Sequence, residues 1–143
     1  MTADSAATPA SSVFDHRSVA RVDTDRPDYY GRRLVDHMNR KIDATWDDAT
    51  TSGRLAFNRE GAVVGVVDLT CEEKALILTL STSAQEQPRL EEVVGIHLAR
   101  FGYRDSLAVS WIRDGGSVGT MQGPLSAQDM ERMRREYEAR QRQ

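Results

Sequence analysis

The sequence is poor in the groups that hold very small proteins together. Its single cysteine, Cys71, excludes an internal disulfide and any cysteine-rich zinc module. Apolar runs are short. The longest, residues 62–67, is six residues and is interrupted by Gly65, too little to span a membrane. Neither sign of charge predominates: 19 Lys and Arg stand against 22 Asp and Glu, a net charge of −3. Nucleic acid is thereby set aside as a partner, because phosphate affinity needs a clear positive excess. Aromatic residues make up only 6% of the chain. What is present is a 143-residue chain, 39% hydrophobic and 29% charged, which suits one domain. A domain of this length buries roughly 68–70% of its unfolded surface and needs no metal or disulfide to fold.

Residues 1–17 are expected as a disordered lead-in. Ten of the first twelve residues are Ala, Ser, Thr or Pro, and no basic and apolar leader marks them as a secretory signal. The expected compartment is the cytoplasm. An α+β domain is expected over residues 18–114. Residues 18–23 read as a strand. Asp25 and Pro27 read as the entry to a helix whose stripe, Tyr30, Leu34, Val35, Met38 and Ile42, extends to residue 42. Residues 45–47 and 53–58 read as short strands, and residues 62–70 as a β-rich run. Leu76, Leu78 and Leu80 alternate as in a half-buried strand. A second helix is expected over 85–103, with Leu90, Val93, Val94, His97, Leu98 and Phe101 in one arc, and a last strand around Leu107, Val109 and Trp111. Residues 115–124 read as a mobile Gly-rich linker. Residues 125–143 read as a helical tail opened by a capping box of Ser126 and Asp129, with Met130, Met133 and Tyr137 as a narrow apolar stripe. The order β-α-β-β-β-β-α-β predicts a two-layer sandwich: a mainly antiparallel sheet with two helices on one face, plus the C-terminal helix.

Little in the chain carries recognisable chemistry. His97 lies in the apolar arc of the second helix, so its imidazole is either a satisfied core group or a ligand lining a pocket between helix and sheet. His37 flanks the stripe of the first helix, close to Lys41, and both helices on one sheet face would bring the two rings together. Two histidines with no third ligand at a motif spacing do not make a zinc site. Haem, which needs one axial histidine, survives that count. The first helix also carries Arg26, Arg32, Arg33, Arg40 and Lys41 against Asp28 and Asp36. Those cations form either a solvated face or an anion-gripping rim. Cys71, beside Glu72 and Glu73, is a poor nucleophile. No phosphate loop or nucleophile elbow occurs, and Trp46 and Trp111 read more readily as core anchors than as stacking platforms.

Several segments together resemble a small bacterial family known as domain of unknown function 2218. They are residues 20–24 leading into a helix with Tyr30, His37 and Lys41, then Gly53-Arg54-Leu55-Ala56-Phe57 and Leu90-Glu91-Glu92-Val93-Val94. His97-Leu98-Ala99-Arg100-Phe101 follows, with Arg104 and Trp111 beyond it. The resemblance covers residues 19–113. This chain departs from many relatives in lacking a histidine at Arg40 and a cysteine near Val67, and in carrying added residues around 62–64. Such domains look like companions of siderophore-interacting flavin reductases. The resemblance therefore implies an accessory role in iron–siderophore handling, with a reductase as partner, and supplies no catalytic residues.

Three readings follow. The first is a small ligand-binding or accessory domain that takes a small anion, an iron–siderophore or haem near His37, Lys41, His97, Arg100, Arg104 and Trp111. The second is an interaction module that docks a reductase or self-associates through its sheet or tail helix. The third is an enzyme using His97 as general acid or base, for which no paired group is visible. No resident metal or cofactor is expected.

Overall fold

The computed structural model describes residues 14–142. The part of the lead-in before residue 14 lies outside the described residues, while residues 16 and 17 already belong to the first strand. The elements are β1 (His16–Asp23), α1 (Pro27–Met38), β2 (Asp43–Asp47), β3 (Ser52–Ala56), β4 (Gly65–Glu72), β5 (Ala75–Thr82), α2 (Gln87–Phe101), β6 (Val109–Arg113), β7 (Val118–Gln122) and α3 (Ala127–Gln141). All seven strands form one antiparallel sheet in the order β2-β3-β4-β5-β1-β6-β7. Helix α1 lies over β2 to β5, and α2 over β5, β1, β6 and β7, so both cover the same face. This is the expected α+β sandwich, with one strand more. No helix among the described residues is long and apolar enough to cross a membrane.

Strict alternation builds the shared face. Leu76, Leu78 and Leu80 of β5 are fully buried beside Ala20 and Val22 of β1 and Val67 and Leu69 of β4. The helices answer with Leu34, Leu90, Val94 and Leu98, all fully buried. Burying a side chain of this kind contributes about 1.5–3 kcal/mol relative to exposure, which makes this layer the main source of stability.

Most element ends fall within three residues of those read in the sequence, and three differences matter to the fold. Asp25 does not cap α1: its carboxylate meets Lys74 Nζ at 3.1 Å, and Arg26 holds the cap position while its N–H donates to Thr24 Oγ1 at 3.0 Å. The helix ends at Met38 rather than at residue 42. Ile42 still enters the core, because its N–H donates to the Met38 carbonyl at 3.0 Å and continues the helical register through a turn. The largest correction concerns residues 115–124, which are not a bare linker. Gly115 and Gly116, at φ +83° and +88°, make a turn that glycine adopts at no steric cost, and β7 then pairs back onto β6. The domain therefore extends past residue 114.

A buried polar cluster secures that added strand. Glu91 of α2 is fully buried and accepts from Ser18 Oγ at 2.5 Å. It also accepts from Arg113 Nε and Nη2 at 3.0 and 2.9 Å, and from Thr120 N and Oγ1 at 3.0 and 2.9 Å. Gln87 Nε2 donates to Ser18 Oγ, and Gln122 Oε1 accepts from Trp111 Nε1 at 2.9 Å. Gly95 makes room for Gln122, since a Cβ at residue 95 would lie 1.8 Å from Gln122 Oε1. The capping box opening α3 forms as expected, with Ser126 Oγ accepting from Asp129 N at 3.0 Å. No residue of α3 is buried, in keeping with its thin apolar stripe.

Candidate functional site

Where α1 and α2 approach each other, the helical layer opens toward the loop joining β3 to β4. His37 lies in the last turn of α1, and His97 lies on α2 one turn before Phe101. Their ring centres are 4.7 Å apart with the planes inclined at 51°. Phe101 closes one side of the pair, edge-on to His37 at 5.4 Å, and the Arg33 guanidinium covers Phe101 at 4.7 Å. His97 is half-buried rather than sealed in the core.

The rings border a cavity of about 450 Å³. Its apolar wall is Met38, Ile42, Phe57, Val64 and Val93. Its charged rim is Lys41, Arg59 and Arg89, opposed by Glu60. Arg89 is held by Glu86 at 2.6 Å, whereas Lys41 and Arg59 pair with no carboxylate among the described residues. Two backbone hydrogen bonds close the base of the loop that supplies Phe57, Arg59, Glu60 and Val64, and Gly61 N donates to the Asn58 carbonyl at 3.1 Å at its tip. Phe57 N donates to the Gly65 carbonyl at 2.9 Å and Val64 N to the Phe57 carbonyl at 2.8 Å.

Both imidazoles are held neutral at neutral pH. Burial pushes His97 down to about 4, helped by His37, Arg100 and Lys41. His37 is lowered first by burial and then by Arg40, Lys41, Arg100 and Arg33. The surroundings of the pair are thus cationic, and each ring keeps one lone pair and one N–H donor. Among the described residues no group of three His, Cys, Asp or Glu side chains is placed to hold a metal ion. Cys71 lies elsewhere, half-buried on β4. Its thiol is pushed up by burial first and then by Asp28, rather than by the adjacent Glu72 and Glu73.

Of the residues expected at the site, His37, Lys41 and His97 meet at the cavity. Arg100 is exposed beside it and acts on both rings through its charge. Two others do not reach it. Arg104 sits on a short 3₁₀ turn with its Nε donating to Tyr103 Oη at 3.2 Å, and Trp111 is fully buried with its Nε1 on Gln122. Sequence reasoning missed Arg89 and the loop residues 57–64. Arg89, Val93 and His97 are spaced i, i+4, i+8 on one helix face, so that spacing was a usable signal for Arg89. The loop had none beyond turn chemistry at Arg59-Glu60-Gly61.

Fold and site together define a two-layer α+β domain with a half-open, cation-rimmed cleft in its helical layer. The chain belongs to the family described as uncharacterized protein conserved in bacteria (DUF2218), whose model matches residues 19–112. Among solved structures, it is similar to the NMR structure of PA4090 from Pseudomonas aeruginosa, at 23% identity and a TM-score of 0.51. That similarity covers 66% of this chain and 93% of the other, and it establishes a shared fold. No curated protein matches the sequence.

Proposed function

We propose that this domain binds a small anion with an apolar body in the His37–His97 cleft, as an accessory module in iron–siderophore handling. One observation carries the reading: an apolar wall and a rim with unpaired Lys41 and Arg59 face the same cavity of about 450 Å³. That volume lies within the roughly 300–1,000 Å³ typical of small-molecule sites. An anionic siderophore chelate meets both demands, with its charge on the rim and its organic shell against Phe57, Val64 and Val93. Neither tryptophan lines the cavity. Binding is therefore read by calorimetry and by the imidazole NMR signals, with ferric siderophores, their metal-free forms, haem and flavin as the panel. The reading expects saturable binding by an anionic member, weakened by salt and lost in Lys41→Glu. A panel that leaves both imidazole signals unmoved refutes it.

A second reading, protein docking, is favoured by Ile112, Val118 and Met121, which are 46%, 77% and 66% exposed on β6 and β7. Val118→Lys with Met121→Lys tests it by sedimentation, alone and mixed with a siderophore-interacting reductase. Identical sedimentation of both forms in both settings removes this reading.

A further inference from the structure

We propose that His37 and His97 act as a pair of neighbouring ligands to a transition metal that arrives already held by an anionic chelator with two adjacent coordination positions open. The proposal rests on the reading of the cleft as an anion site and adds the atoms that would touch the metal.

The spacing of the rings suits this role. A metal–nitrogen bond of about 2.0–2.1 Å places the metal about 3.2 Å from the centre of a bound imidazole. Two imidazoles subtending about 90–110° at one metal then have centres about 4.5–5.2 Å apart. The observed separation is 4.7 Å. The rings are also uncommitted. His16 Nδ1 is engaged by Asp15 at 2.8 Å, while His37 and His97 have no hydrogen-bond partner among the described residues.

Charge decides the form in which the metal comes. Lys41 and Arg59 line the cavity unpaired beside Arg89, which Glu86 holds, while from outside it Arg100 acts on both rings and Arg40 on His37; Glu60 is the one carboxylate on the lining. Such surroundings repel a bare dication and attract the same metal inside a complex of net negative charge. The protein also lacks a third ligand there among the described residues, so the chelator must fill the remaining positions. Imidazole suits copper, nickel, zinc and iron. A chelator that occupies every position of its metal would enter only as an anion, without a bond to either histidine.

The test uses the full chain without an affinity tag and three probes. Nickel(II) nitrilotriacetate is an anion with two adjacent positions open, nickel(II) EDTA is a saturated anion, and the aqua nickel ion carries no chelator. Calorimetry gives affinity, and the d–d spectrum reports nitrogen ligation. The nitrilotriacetate complex should bind one per chain, with its d–d band shifted. Its affinity should fall about 10-fold or more in His37→Gln and in His97→Gln, the scale seen when a metal site is disturbed, and stay unchanged in His16→Gln. Circular dichroism checks folding, and His37→Gln, at the end of α1, stands alone if His97→Gln fails to fold. Equal affinity for both chelates with no spectral shift overturns this inference while leaving the anion site intact. Tighter binding of the aqua ion than of the nitrilotriacetate complex also overturns it. If neither chelate binds while an anionic member of the siderophore panel does, this inference falls and the anion reading stands; if that panel fails as well, both fall.

Discussion

Replacing Glu91 by alanine removes the acceptor on which Ser18, Arg113 and Thr120 converge. The carboxylate is fully buried and takes five hydrogen bonds, from Ser18 Oγ, two Arg113 nitrogens, and Thr120 N and Oγ1. Removing one partner of a buried ion pair costs about 3–5 kcal/mol, because the other charge is left uncompensated. Arg113 is 29% exposed, so its guanidinium can recover some hydration, which favours the lower end of that range. Ser18 Oγ keeps Gln87 as a donor, but its own proton loses its acceptor at about 1 kcal/mol. The expected cost is about 3–4 kcal/mol, read from urea denaturation followed by far-UV circular dichroism. Amide exchange should accelerate most at Thr120, whose N–H loses its partner. The double change Glu91→Leu with Arg113→Met removes both charges and should recover at least about half of the loss. A loss below about 1 kcal/mol in Glu91→Ala would refute the uncompensated-charge reasoning altogether. Equal losses in the single and double variants would refute the role given to Arg113.

Acid should act in two windows. His97 is held neutral in the fold, so the unfolded chain takes up a proton first, and stability falls as the pH drops from about 6.5 toward 4, by about 3 kcal/mol at most. His97→Phe should flatten that slope in pH-dependent denaturation, and an unchanged slope would count against it. Desolvation opposes ionisation of Glu91, but Arg113, Ser18 and Thr120 hold its carboxyl below the usual range. Its contribution is therefore present above the unfolded value of about 4.3 and is lost as the pH falls through the lower folded value. Gly95→Ala should destabilise by about 1–3 kcal/mol through collision with Gln122, although helix propensity alone favours alanine by about 1 kcal/mol. A more stable variant in the same denaturation assay would contradict the packing. Truncation after Leu125 should lower the melting temperature by only about a few degrees, since no residue of α3 is buried, whereas truncation after Asp114 deletes β7 and should cost far more. Calorimetric melting of the two shortened chains side by side checks this, and equal losses would place the boundary wrongly.

Elements with a strong internal period were legible in the sequence. The alternation of Leu76, Leu78 and Leu80 and the arc around Leu90, Val94 and Leu98 announce their faces without knowledge of the partner. Strand β7 does not, because Val118-Gly119-Thr120-Met121-Gln122 has no apolar alternation and reads as glycine-rich. Its inward positions are polar because they face Glu91 and Trp111 rather than leucines, and only the folded partner explains them. Glu91 itself was readable in part: it precedes Val94 and Leu98 by three and seven residues, on the buried side of α2. In the cleft, local pattern placed His37, Lys41 and His97, while Trp111, read correctly as a core anchor, was also expected at the site because an inward aromatic on a strand looks the same whether it fills a core or lines a pocket. The contribution of Phe57, Arg59 and Val64 arises from a loop folding over a helix seam, an arrangement with no period to read.

Strand β1 governs how the chain reaches this state. It lies between β5 and β6, and no other strand joins the β2–β5 block to the β6–β7 pair. Both of its partners come much later in the chain, so the sheet cannot be completed by zipping up local hairpins. The hairpins of β2 to β5 can form early, but the two blocks share no ladder until the first strand is captured between them. Such non-local closure slows folding relative to a chain built from neighbouring contacts. It also binds the parts into one cooperative unit: loosening β1 severs the sheet in the middle rather than fraying an edge.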